Sequence, residues 1–159
     1  MRTSANRPAG GARPARIVII DDHEISRAAC RALLRTEGLD VVADLAAGDQ
    51  PLTAARALRP DVAIIDVTPA ASTGFSIADG LLTLPAPPTI ILTSSTDRTR
   101  FGTRLNDHRF IAKGDICAAA IARLARTRDQ AAAPGQGTGQ WCSPARPDGP
   151  GCEGECYAS

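Results

Sequence analysis

Apolar and polar positions alternate in blocks along the chain: a short apolar run, then a longer stretch whose apolar residues recur at helical spacing. The first run, Arg16–Ile20, leads into a helical pattern over Glu24–Thr36 that stops at Gly38, a residue suited to the left-handed turn that ends helices. The second pairs 40–43 with a helix over 52–58 closed by Pro60, and the third pairs 61–65 with a helix over 75–84 closed by Pro85. Residues 89–92 then precede a short segment around Arg98–Leu105, and Arg109–Ala112 precedes a helix over 116–126 in which Ile116, Ala120, Ile121 and Leu124 share a face. Repeated strand-then-helix units predict an α/β fold with a parallel sheet, and runs this continuously apolar suit strands covered on both faces.

Outside this frame the periodicity fails. Residues 1–15 are rich in Arg, Pro, Gly and Ala and residues 128–159 in Gly and Pro, so both read as disordered tails around a single domain over 16–127. A tail of roughly 30 residues cannot bury a core of its own, which predicts that any effector is another molecule. Aromatic residues are only 3% of the chain, so the core has to be built from Ile, Val, Leu and Ala.

A net charge of +1 gives no whole-molecule field to draw in nucleic acid or an anionic membrane, and Arg2, Arg7, Arg13 and Arg16 read as a solvated cluster. The apolar run 17–20 is too short for a signal peptide or a membrane span, which predicts a cytoplasmic protein. Cys30 and Cys117 fall in helical stretches as small apolar thiols, while Cys142, Cys152 and Cys156 lack a fourth ligand for zinc, so neither a disulfide framework nor a tail metal site is expected.

Ligands of open parallel sheets bind at the carboxyl ends of the strands. There the chain delivers Asp21 and Asp22 after the first strand, Asp66 at the end of the third, Thr93 at the end of the fourth and Lys113 after the fifth. Carboxylates gathered on one rim repel one another unless a cation intervenes, and Mg²⁺ accepts such oxygen ligands and is often completed by phosphate. An Asp beside that ion can act as a nucleophile towards phosphorus, with Lys113 neutralising a phosphoryl oxygen and the Thr93 hydroxyl donating a hydrogen bond to another.

The segments RIVIIDDHEISRAACRALL (16–34), DVAIID (61–66), TIILTSS (89–95) and RFIAKGDI (109–116) together resemble the receiver domain of two-component response regulators. The resemblance implies a flavodoxin-like, CheY-like doubly wound sheet of five parallel strands. It places Mg²⁺ on Asp21 and Asp22, with Asp22 the direct ligand, on the phosphoacceptor Asp66, and on the backbone carbonyl of Thr68. It makes Thr93 the switch hydroxyl beside Ser94, Lys113 the motif lysine, and Phe110 the switch aromatic that fills the space Thr93 vacates. The partners implied are a histidine kinase or phosphotransfer protein and a downstream protein effector, with homodimerisation through the switch face also open. The protein is not expected to be an enzyme. RFIAKGDI is most similar to receivers that precede a helix-turn-helix output, yet no DNA-binding module is read in this chain.

Two departures stand out. Ala70 occupies the position where receivers usually carry Pro, although Gly74 keeps its spacing, and the stretch from Thr93 to Lys113 is short. They keep open an alternative in which the chain is a pseudo-receiver that signals by protein binding without phosphate. A phosphatase of the haloacid dehalogenase type would need Asp where Thr68 stands, and no G-x-G-x-x-G or P-loop motif follows any strand. His23 and His108 read as surface residues flanking a helix and a strand, and Trp141 and Tyr157 as isolated tail aromatics.

Overall fold

β-branched runs punctuated by helices produce an alternating order of elements. A computed structural model describes residues 13–48 and 50–131. The strands are β1 (Arg16–Ile20), β2 (Asp40–Leu45), β3 (Val62–Asp66), β4 (Thr89–Ser94) and β5 (Arg109–Ala112). The α-helices are α1 (Glu24–Thr36), α2 (Gln50–Leu58), α3 (Thr73–Leu82) and α4 (Ala118–Ala131), and 3₁₀ segments cover Arg98–Leu105 and Lys113–Asp115. All strand pairs are parallel, in the order β2-β1-β3-β4-β5. The order reverses between β1 and β3, which opens a crevice at the ends carrying Asp21, Asp22 and Asp66.

The central strands β1, β3 and β4 bury both faces, while β2 and β5 at the edges are only partly covered. Val18, Ile20, Ala63, Ile65, Ile90 and Leu92 form one cluster with Ala55 of α2, Ala78 and Leu81 of α3, and Phe101 and Leu105. Ile17, Ile19, Val62, Ile64, Ile91 and Ile111 form the other with Leu34 of α1 and Ile121 of α4. The core is thus mainly aliphatic, as the composition requires, with Phe75 and Phe101 its aromatic members. Among the described residues no helix is long and apolar enough to cross a membrane.

Several boundaries differ from the sequence reading. β2 continues to Leu45 because its last residues are half-buried edge positions that still pair with β1. α2 begins at Gln50, since Pro51 lacks only an N–H that a first turn leaves unpaired. α3 begins at Thr73 and ends at Leu82. α4 begins at Ala118 because Lys113–Asp115 form a separate 3₁₀ turn, and it runs to Ala131, past the expected domain edge at 127.

Arg13 stays exposed and Arg16 is half-buried, and both are tied to the domain. The Arg13 guanidinium grips Asp61 with two hydrogen bonds of 2.9 and 2.8 Å, and Arg16 donates from its side chain to the Leu58 carbonyl at 2.5 Å. The reading of the remaining N-terminal arginines and of the tail Cys, Trp and Tyr falls outside the described residues.

Gly80, inside α3, offers a mild test of the α2–α3 contact. A Cβ there would lie 3.0 Å from Leu52 Cδ2, the far end of a flexible side chain. Gly80→Ala is expected to raise stability by about 0.5 kcal/mol, because the gain from a stiffer unfolded chain exceeds the small shift asked of Leu52. Urea denaturation checks it.

Candidate functional site

The pleat of the sheet selects which polar residues meet. Ile19, Ile64, Ile91 and Ile111 are buried in one cluster, and the residues two positions further on are Asp21, Asp66, Thr93 and Lys113, which therefore come to the same side. Lys113 confirms the convergence: its Nζ lies 2.8 Å from Asp21 Oδ2 and 3.0 Å from Asp66 Oδ1. Asp22 follows Ile20 instead and turns the other way, where its Oδ1 accepts the Ala47 backbone N–H at 2.6 Å.

The three charged groups are coupled. Burial pushes the Asp21 carboxyl up, but the Lys113 ammonium, the His23 backbone N–H at 2.8 Å and the Ser26 hydroxyl outweigh it and hold the carboxyl below its ordinary value. For Asp66 burial prevails: it raises the carboxyl, Lys113 only partly opposes it, and Asp21 and Asp22 add like-charge repulsion. Burial alone would lower Lys113, yet its bonds to Asp21 and Asp66 hold it above its ordinary value.

The Thr93 hydroxyl completes the rim. Thr93 is 3% exposed and its Oγ1 has no hydrogen-bond partner, an arrangement that costs stability unless an acceptor arrives. The Val67 N–H donates to the Thr93 carbonyl at 2.8 Å, which ties the backbone just after Asp66 to β4.

Asp21, Asp22, Asp66 and Thr68 line a cavity of about 70 Å³. Its donors are all oxygen, which fits Mg²⁺. Among the described residues no three His, Cys, Asp or Glu side chains stand together as a metal-holding group, because Asp22 is drawn to Ala47 while Lys113 occupies the other two acids.

Phe110, paired with Leu92 next to Thr93, presents its ring on the side of β5 that packs against the α2–α3 cluster. Its ring centroid is 5.9 Å from that of Phe101, with the Arg98 guanidinium 5.7 Å above it. Phe101 continues to Phe75 at 6.3 Å, so the chain's 3 phenylalanines form one row.

The sequence reading missed residues that brace the site. Arg27 of α1 donates to the Asp21 carbonyl, and its Nε lies 3.6 Å from Asp44 Oδ2, which also receives Arg31. Helical spacing of Arg27 and Arg31 hinted at one charged face, but only the fold shows that face meeting the end of β1. His23 supplies its backbone N–H to Asp21, and His108 packs edge-on against Phe75. Cys30 and Cys117 are free thiols, and burial, with Asp21 nearby, pushes Cys30 up to about 11.

With this geometry in hand, comparison with known proteins is direct. The response regulator receiver domain profile matches residues 17–114, and the chain belongs to that family. It is similar to protein-glutamate methylesterase/protein-glutamine glutaminase 2 of Anaeromyxobacter dehalogenans, with 36% identity over 58% of this chain and 28% of that protein. It is also similar to the DNA-binding response regulator MtrA of Mycolicibacterium smegmatis, with 30% identity over 74% of this chain and 54% of that one. The chain thus spans about a quarter to a half of these curated relatives. Among solved structures, the signal receiver domain of a modulated diguanylate cyclase from Desulfovibrio desulfuricans G20 superposes with a TM-score of 0.58 at 25% identity, covering 72% of this chain and 93% of that one. The fold is therefore the CheY-like, flavodoxin-like sheet, and the domain is a receiver of two-component response regulators. Receivers generally bind Mg²⁺ at their phosphorylation site and interact with kinases, phosphotransfer proteins and effectors.

Proposed function

We propose that this receiver accepts a phosphoryl group on Asp66 from a histidine kinase or phosphotransfer protein and thereby changes a surface read by a downstream protein. The observation that carries the reading is the Lys113 ammonium held 3.0 Å from Asp66 beside a buried, unpartnered Thr93 hydroxyl. A cation and an O–H donor on this rim would serve phosphoryl oxygens carried on Asp66.

An Asp66 carboxylate oxygen attacks phosphorus, a new O–P bond forms, and the bond from phosphorus to the donor breaks with its electron pair leaving on the donor. Lys113 shifts from carboxylate to phosphoryl oxygen, and Thr93 donates its proton in a hydrogen bond to another. Mg²⁺, held by Asp21, Asp22, Asp66 and the Thr68 carbonyl, would neutralise charge between nucleophile and phosphoryl group. Burial keeps Asp66 basic, which favours it as a nucleophile. Phosphorylation then biases a population, with Thr93 and Phe110 as the switch pair.

One observation favours a second reading. Lys113 already neutralises Asp21 and Asp66 and Ala47 occupies Asp22, so a domain signalling by protein contact alone, a pseudo-receiver, is served by the same geometry. Intact mass after incubation with Mg²⁺ and acetyl phosphate separates the two. A phosphate-sized gain that requires Mg²⁺ and vanishes in Asp66→Asn supports the acceptor; no gain in folded wild type supports the pseudo-receiver.

Asp66→Asn carries a stability prediction too. A carboxyl raised by burial binds its proton more tightly when folded, so its ionisation removes stability as pH rises through the raised value. The Asn variant is expected to be at least as stable as wild type at neutral pH by urea titration. A large fall would make Asp66 a structural residue instead.

A further inference from the structure

The loop after Asp66 is gripped from a distant part of the chain. Arg104, on the 3₁₀ segment, donates from Nη1 to the Pro69 carbonyl at 3.0 Å and from Nη2 to the Ala71 carbonyl at 3.3 Å. Its guanidinium carbon also lies 4.1 Å from the centroid of the Phe75 ring at the start of α3. One planar fork thus straddles Ala70 and rests on an aromatic face, a geometry that suits arginine and that lysine cannot reproduce.

What the fork holds matters because of its neighbours. The Ala71 N–H turns back to the Thr68 carbonyl at 3.3 Å, and Thr68 lines the small cavity with Asp21, Asp22 and Asp66. Pro69 fixes one φ of the loop, but Ala70 after it keeps the φ rotation that a proline would lack, so the loop's own sequence fixes its shape only in part. Within the same segment, Arg98 covers Phe110 and Phe101 bridges to Phe75, which gives the segment contacts to both the loop and β5.

We propose that Arg104 is a positioning residue that holds the 68–71 loop in the shape needed for the cation and phosphoryl group, and ties that loop to the 3₁₀ segment. The cation and phosphoryl part of this rests on the reading of Asp66 as an acceptor; the holding of the loop does not. Arg104 touches no reacting atom. Its effect is to order the Thr68 backbone, so its removal raises the amount of cation required more than it slows the saturated reaction.

The experiment compares wild type with Arg104→Ala, Arg104→Met, which keeps apolar cover on Phe75, and Arg104→Lys, which keeps the charge. Two readouts are used: the Mg²⁺ dependence of phosphate gain from acetyl phosphate, and hydrogen exchange of the amides at 71–73. In all three variants the half-saturating Mg²⁺ is expected to rise, and loop exchange to speed up, by about tenfold, the loss expected from one to two net hydrogen bonds. Wild-type values for both readouts in the variants overturn the proposal, as does full retention in Arg104→Lys, which would reduce Arg104 to a surface charge. If wild type takes no phosphate, the acceptor reading has failed, and loop exchange alone decides whether Arg104 holds the loop.

Discussion

Lys113→Met is expected to slow phosphate gain about a hundredfold, the loss typical of removing one preorganised group aimed at developing charge. It should also lower stability by about 2 kcal/mol at neutral pH, because two largely buried carboxylates lose their shared counter-charge. The pH dependence has a definite sign. With Lys113 present, Asp21 is held low and contributes stability that is lost only as pH falls through its depressed value. Without Lys113 the influence lowering both Asp21 and Asp66 disappears and burial pushes both carboxyls up, so the variant loses stability as pH rises through the acid range. Urea midpoints at about pH 4.5 and about pH 7.5 should show a gap from wild type that widens at the higher pH. An equal gap at both would show that Lys113 acts by packing its stem rather than by its charge. In the wild type, the raised Lys113 value means its own contribution is lost only in strongly alkaline solution.

Gly74→Ala is expected to cost about 3 kcal/mol and to abolish phosphate gain with it. A Cβ at Gly74 would lie 2.5 Å from the Asp66 carbonyl oxygen and 2.8 Å from Val67 Cγ1. The first neighbour is backbone, fixed by the β3–β4 ladder, and cannot rotate aside. Either α3 lifts away from the sheet or Asp66 moves, and both displace the acceptor carboxylate. Circular dichroism with urea titration reads the stability, and intact mass reads the chemistry. A stable Gly74→Ala protein that still gains phosphate would mean that the close approach relaxes without consequence. The contrast with Gly80→Ala, where the obstacle is a leucine tip, separates contact with backbone from contact with a side chain.

The sequence made much of this legible because strands and helices had different periods. Arg16–Ile20, Glu24–Thr36 and Arg109–Ala112 fold with the bounds their patterns indicate, since Asp21, Gly38 and Lys113 punctuate them. The short segment before β5 is a 3₁₀ stretch kinked at Gly102, where φ is 55°, and its brevity was visible in the spacing. The rim residues were legible too, as strand-end positions.

What pattern could not show were contacts between residues far apart in the chain. The Lys113–Asp21 pair spans 92 positions and the Arg104–Pro69 bond 35, and no periodicity carries such information. Asp22 illustrates the converse. Adjacent to Asp21 and chemically identical, it faces the opposite way because one residue of strand advance reverses a side chain.

Asp21, Asp66, Thr93 and Lys113 each stand two residues beyond an isoleucine of one core cluster, so the same parity that buries the isoleucine aims the functional group. Deleting one residue within β1, β3 or β4 would still leave apolar residues on both covered faces, yet would turn the rim residue away from the site. Strand length therefore acts as the index of the site: a shifted pleat keeps an aliphatic core and silences the chemistry.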